Sequence, residues 1–198
     1  MILCSTTGYQ TRAFAEAARE MGLEVAFGSD RCHVLEDPWR DGALPLRFED
    51  AEGSARQIAD YARHNPLNAI VALGDRPTPA AARACRLLRL PCHSPEAADL
   101  CRDKYLSRER LRAIGLNIPR FARFSVNSRP RQLIEEVAGR VGFPSVLKPL
   151  ALSASRGVIR ADDSNQFLRS FDRIRDLLRS PEVQVMREET SNYIQCEE

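Results

Sequence analysis

Lysine is nearly absent from this chain: of its 29 basic residues only Lys104 and Lys148 are lysine, and every other one is arginine. The bias reflects coding composition. The two residues that escape it are candidates for a shared task, because lysine offers a compact charge with three rotatable donors where arginine presents a planar fork. Net charge is small as well. With 27 acidic residues the balance is +2, which gives no strong field for nucleic acid or an acidic membrane surface. No apolar run approaches the roughly 18 residues of a membrane span, and the N-terminus carries an acidic-basic helix where a signal peptide needs its apolar region. A cytoplasmic protein with no membrane or nucleic-acid partner is expected. There is no Cys-x-x-Cys pair among the six scattered cysteines, which points to reduced thiols. Neighbours such as Cys32-His33 and Cys92-His93 rarely both reach one tetrahedral centre, so no metal site is assigned. Also missing is the three-glycine dinucleotide fingerprint, of which Gly8 alone is a poor remnant; this sets aside a dinucleotide-dependent oxidoreductase.

What is present is ordinary globular composition, 43% hydrophobic. Ile2 to Cys4 reads as a strand, Phe14, Ala17, Ala18 and Met21 as a helix ending at Gly22, and Leu23 to Phe27 as a second strand. A short strand is expected at Ala43 to Leu46. Ser54 and Gln57 form a capping box before the stripe Ile58, Tyr61, Ala62. Ala69 to Leu73 is a buried strand, and Gly74-Asp75-Arg76-Pro77 follows at the end where parallel sheets keep their ligands. Thr78 then caps a helix with Ala81, Ala84, Cys85 and Leu88 inward. This alternation predicts an α/β fold with a Rossmann-like parallel sheet over residues 1–93.

Residues 94–118 read as linker helices. There Leu100, Lys104, Ser107, Leu111 and Ile114 share one helical face, which places Lys104 on the apolar stripe and leaves Arg102, Arg108, Arg110 and Arg112 outward. Residues 119–198 read as a small α+β subdomain: a strand at Phe121 to Val126, a helix opened by Pro130, strands at Ser145 to Leu147 and Gly157 to Arg160, a helix capped by Ser164, and strands at Val183 to Val185 and Tyr193 to Cys196. Within it, Phe143 to Val158 stands out. A short apolar run delivers Lys148 at a strand end before Pro149, and the small residues Ser153, Ala154, Ser155 and Gly157 then form a loop whose backbone can approach an anion. On these residues alone, an ordinary hairpin and a phosphate loop are equally open.

In this order the pieces resemble the ATP-grasp superfamily of carboxylate ligases. Residues 1–93 resemble its N-terminal α/β domain. Asp103-Lys104-Tyr105 followed by Arg110 to Pro119 resembles the linker helix whose lysine meets ATP phosphates, and Phe143 to Pro149 resembles the strand carrying the second nucleotide lysine. The resemblance implies that Lys104 and Lys148 bind ATP, and that Ser153, Ser155, Arg156 and Gly157 lie in the loop closing over the phosphates. It implies that Glu197 accepts from the adenine amino group at a hinge. Gly8 and Asp75 are the implied places for substrate contacts.

The implied chemistry is activation of a small-molecule carboxylate as an acyl phosphate, which an amine or similar nucleophile attacks, with ATP and Mg²⁺ as cofactors. Two departures matter. The loop is poorer in glycine than is usual for the family, and the chain stops at Ile194-Gln195-Cys196-Glu197-Glu198, which resembles the strand entering the hinge. A truncated ligase is expected, one that binds ATP weakly and turns over nothing, its Mg²⁺ ligands lying in the portion beyond. Self-association through an unpaired hinge strand is also expected. The alternative is a non-catalytic regulatory or partner-binding scaffold derived from such an enzyme.

Overall fold

A computed structural model describes residues 1–5, 10–30, 43–150 and 152–198. Gly8, Cys32, His33 and Trp39 lie outside the described residues. The chain divides into two compact units, Met1–Asp99 and Leu100–Glu198.

The first unit is a parallel sheet. Strands β1 (Ile2–Cys4), β2 (Phe27–Ser29), β3 (Leu44–Pro45) and β4 (Val71–Leu73) lie in the order β3-β2-β1-β4. Helices α1 (Thr11–Glu20), α2 (Ala51–Ala62) and α3 (Thr78–Leu88) connect or follow them. Leu3 packs with Leu46, Phe48, Ile58 and the alanine face of α3, while alternate residues Ile2, Cys4 and Leu73 join Val25 and Phe27 in a smaller cluster. Such alternation is what a sheet apolar on both faces requires.

Several boundaries differ from the sequence reading, each for a local reason. The second strand begins at Phe27 rather than Leu23, which is 56% exposed. It runs through Gly28, where a Cβ would lie 2.7 Å from Leu3 Cδ2 and 2.8 Å from Leu46 Cδ1, so a larger residue there would have to displace both leucine side chains. Helix α2 starts earlier, capped by Asp50, whose carboxylate accepts from the Gly53 N–H at 2.8 Å. Ser54 is instead buried inside the helix, donating to Arg47 O at 2.8 Å and accepting from Arg47 N at 3.1 Å. Thr78 is already helical, and its hydroxyl donates to Gly74 O at 2.9 Å. Phe14 on α1 and Met21, at its C-cap, are exposed; Ala18 alone of that stripe is buried.

The expected single face over residues 94–114 is broken in two. Helix α4 (Pro95–Arg102) ends where Asp103 turns extended and caps α5 (Lys104–Ala113), accepting from Tyr105 N at 2.8 Å and Leu106 N at 3.0 Å. Lys104 therefore opens a helix instead of lying mid-stripe. Ile114 is 56% exposed, so the stripe is not a buried one.

The second unit is an antiparallel sheet in the order β5-β8-β6-β7, formed by β5 (Phe121–Ser125), β6 (Ser145–Pro149), β7 (Ile159–Ala161) and β8 (Tyr193–Glu197). One face is apolar: Ala122, Phe124, Leu147, Ala161, Ile194 and Cys196 pack under α6 (Pro130–Arg140) and α7 (Ser164–Leu178). On α7 the buried residues Phe167, Phe171, Ile174 and Leu178 keep helical spacing; each contributes roughly 1.5–3 kcal/mol of burial. Asp163, not Ser164, caps α7, accepting from Gln166 N at 2.8 Å. The strand expected at Val183 to Val185 is a short helix, α8 (Pro181–Gln184), favoured by proline at its first turn.

Strand β8 is an inner strand with partners on both sides, so the unpaired hinge strand expected from the sequence is not found in this sheet; its edges are β5 and β7. No helix among the described residues is long and apolar enough to cross a membrane.

Candidate functional site

Because side chains alternate along a strand, the face of the second sheet opposite its apolar core carries Phe121, Arg123, Val146, Lys148, Tyr193, Gln195 and Glu197. A cross-strand row runs Arg123, Gln195, Lys148. Lys148 lies inside β6, not past its end, one residue beyond the last pair with β7 at Leu147.

Lys148 Nζ donates to Glu197 Oε1. Arg108 Nε donates to Glu197 Oε2 at 3.1 Å and Arg108 Nη2 to Oε1 at 3.5 Å, while Gln195 Nε2 donates to Oε2 at 2.8 Å. The side chains of Lys148 and Glu197 are only 14% and 11% exposed. Burial pushes the Glu197 carboxyl upward, but the hydrogen bonds and charges of Lys148 and then Arg108 outweigh it and hold the group below its ordinary value. Glu197 is thus the counter-ion of two cations, with protein donors on both oxygens. For it to take an adenine amino group, one of these donors has to move.

Arg108, expected to face outward, is drawn to Glu197 because it follows Lys104 by one helical turn on α5. Neither Arg108 nor Gln195 was assigned a role from the sequence. The period-2 alternation back from Glu197 could have placed Gln195 on this face; nothing local distinguishes Arg108 from its neighbouring arginines.

Lys104 works on the main chain. Its Nζ donates to Leu150 O and Leu152 O, each at 2.9 Å, and its N–H donates to Leu150 O at 3.4 Å. It ties the start of α5 to the segment leaving β6. The turn follows directly: Arg156 N donates to Ser153 O at 3.2 Å, with φ of 54° at Ala154, 56° at Ser155 and 74° at Gly157. Two consecutive non-glycine residues at positive φ cost roughly 1–2 kcal/mol each, so this turn is held by its surroundings. Ser153 and Ser155 are exposed, Arg156 Nη2 pairs with Glu182 at 3.0 Å, and the strand resumes at Ile159 rather than at Gly157.

The second unit therefore contains Lys104, Lys148, Ser153, Ser155, Arg156, Gly157 and Glu197, with both lysines engaged around the exit of β6. Asp75 belongs to the first unit, after β4. There Arg76 binds Asp30 and lies 3.5 Å from Glu49, so Asp30 is an ion-pair partner at the strand ends. A cavity of about 310 Å³ lies between Val183 and Asn192 and includes none of the assigned residues. No cluster of His, Cys, Asp and Glu that could hold a metal occurs among the described residues.

A parallel α/β unit followed in sequence by an antiparallel sheet with two helices on its back is a fold this chain shares with solved ligase structures. Residues 15–92 match the ATP-grasp N-terminal domain. Among solved structures, the chain is similar to L-amino acid ligase from Bacillus licheniformis, with a TM-score of 0.68 and 22% identity over 99% of this chain and 45% of that one. It is similar to N5-carboxyaminoimidazole synthetase from Staphylococcus aureus, complexed with ADP, with a TM-score of 0.62 and 14% identity over 100% of this chain and 46% of that one. Carboxyaminoimidazole ribonucleotide synthase from Aspergillus clavatus, complexed with ATP, gives a TM-score of 0.60 and 16% identity over 99% of this chain and 46% of that one. The uncharacterized protein y4rH of Sinorhizobium fredii is 25% identical over 176 residues, 87% of this chain and 36% of its own length. The chain thus spans under half the length of each of these relatives.

Proposed function

We propose that the second unit binds ATP, as the nucleotide-binding portion of an ATP-grasp ligase that activates a carboxylate as an acyl phosphate for attack by an amine or similar nucleophile. The observation that carries this reading is the engagement of both lysines around one strand exit: Lys148 on β6, and Lys104 holding the carbonyls of Leu150 and Leu152 just before the Ser153–Gly157 turn. Lys148 supplies a point charge for a phosphate. Lys104 positions the chain that leads into the turn, where the hydroxyls of Ser153 and Ser155 and the backbone beside Gly157 stand at the surface.

The residues fit a polyphosphate in charge and in the small side chains of the turn. Bound ATP would supply the phosphoryl group; this chain's residues orient it and neutralise charge. For Mg²⁺ the described residues offer no carboxylate cluster, so no step is assigned to it. Asp75 and Gly8 are kept as proposed substrate contacts, and Glu197 as the proposed adenine contact once a donor is displaced. The free thiols of Cys4, Cys85, Cys92, Cys101 and Cys196 support a cytoplasmic setting.

One observation favours the second reading, a non-catalytic scaffold. The charges of Lys148 and Arg108 are already balanced by Glu197 within the sheet. Replacing Lys104 and Lys148 by alanine together separates the two: under the first reading Mg-ATP binding measured by calorimetry disappears, and a cellular role that survives the double change belongs to the second.

A further inference from the structure

Arg123 stands on the polar face of the second sheet with its guanidinium between two tyrosine rings. Its Cζ is 4.5 Å from the ring centre of Tyr105, on α5, and 4.7 Å from that of Tyr193, its diagonal neighbour on β8. Tyr105 is itself fixed: Asp103 accepts from its N–H at 2.8 Å, and its ring meets Phe121 edge-on at 5.4 Å. Both rings lie within cation–π distance of the guanidinium, and Arg123 as a residue remains exposed.

Nearby arginines are consumed by carboxylates: Arg108 by Glu197, Arg112 by Glu109 and Arg120 by Glu198. No carboxylate pairs with Arg123 among the described residues. Its register neighbour Gln195 is fully buried with Oε1 lacking a donor, yet Arg123 makes no bond to it. Two unmet demands thus lie side by side, with Arg123 engaged by the two tyrosine rings rather than by Gln195.

We propose that Tyr105, Arg123 and Tyr193 form an oxyanion-binding slot, separate from Lys104 and Lys148, that takes the carboxylate or phosphate group of a small anionic ligand. A planar fork held by two rings has lost its rotamer freedom in advance and meets such a group through two parallel N–H bonds. This slot does not depend on the nucleotide reading, because neither lysine contributes to it.

The test follows the Arg123 Nε–H resonance of the isotope-labelled chain during titration with inorganic pyrophosphate and, separately, succinate. A saturable shift with pyrophosphate alone assigns a phosphate source; with succinate alone or with both, a carboxylate source is included. Calorimetry with the same anion should show binding weakened at least about tenfold in Arg123→Lys, since the fork is lost, and about fivefold in Tyr193→Leu. Arg123 is exposed, so Arg123→Lys is expected to melt at the wild-type temperature. No saturable shift with either anion, or binding that persists unchanged in both variants, overturns the slot. Mg-ATP binding is measured in parallel, and its loss or survival leaves this result unaffected.

Discussion

Lys148 and Glu197 are diagonal neighbours on one face of the second sheet, Lys148 facing Gln195 across the strands and its ammonium reaching along β8 to the Glu197 carboxylate. Any phosphate that engages Lys148 must therefore compete with an internal carboxylate. On the proposed nucleotide reading, that exchange lowers the affinity expected of the site.

Removing the carboxylate should leave two cations without their partner. Glu197→Ala is expected to lower unfolding free energy by roughly 1.5–3 kcal/mol. Gln195→Leu should cost less, because it removes a donor to Glu197 and an orphaned buried oxygen together. Urea unfolding of the two variants checks the order; an equal or greater loss in Gln195→Leu counts against Glu197 as the centre of the cluster.

The same carboxylate makes stability depend on pH. The Glu197 carboxyl is depressed in the folded chain, so its contribution is complete above its ordinary value of 4.5 and fades as pH falls through the lower folded value. Glu198, lowered by Arg120, and Glu96, lowered to about 2 by Arg86, shape the same acid limb but lie at the surface. Glu197→Gln should flatten the loss of melting temperature below about pH 4.5. An unchanged acid limb would show that Glu197 is not titrating against Lys148 and Arg108.

Lys104 holds two main-chain carbonyls, a task arginine's fork cannot copy from the same position. Lys104→Arg and Lys104→Ala should each cost about 1–2 kcal/mol, with amide exchange accelerated selectively from Leu152 to Val158. Uniform exchange across the second unit would contradict the anchoring role.

Gly157 sits at φ 74°, and a Cβ there would lie 2.9 Å from Leu177 Cδ2 and 3.0 Å from Pro149 Cγ. Gly157→Ala is expected to destabilise by about 1–2 kcal/mol from backbone strain, plus the contact. Thermal melting decides it; a neutral effect would mean that the turn relaxes freely.

The elements of the second unit could be read from the sequence where the apolar period is strong: Phe167, Phe171, Ile174 and Leu178 on α7, and the alternation of Ile194 and Cys196 on β8. Caps were less legible. Asp50 and Asp163 won over Ser54 and Ser164 because an aspartate one to four residues earlier already satisfied the first N–H groups. The break at Asp103 was hidden because the apolar spacing continues across it while the backbone does not. Least visible were the partners of the site. Lys148 meets Glu197 across 49 residues, Arg108 meets it across 89, and the rings holding Arg123 come from a helix and a neighbouring strand, so no local pattern encodes them.

The most direct test of the nucleotide reading is calorimetric titration of the chain with Mg-ATP alongside the Lys104→Ala, Lys148→Ala double variant. Saturable binding weaker than about 1 μM, about −8 kcal/mol, and lost in the double variant is the predicted result. Binding of undiminished affinity in the double variant, or none in the wild-type chain, would contradict it.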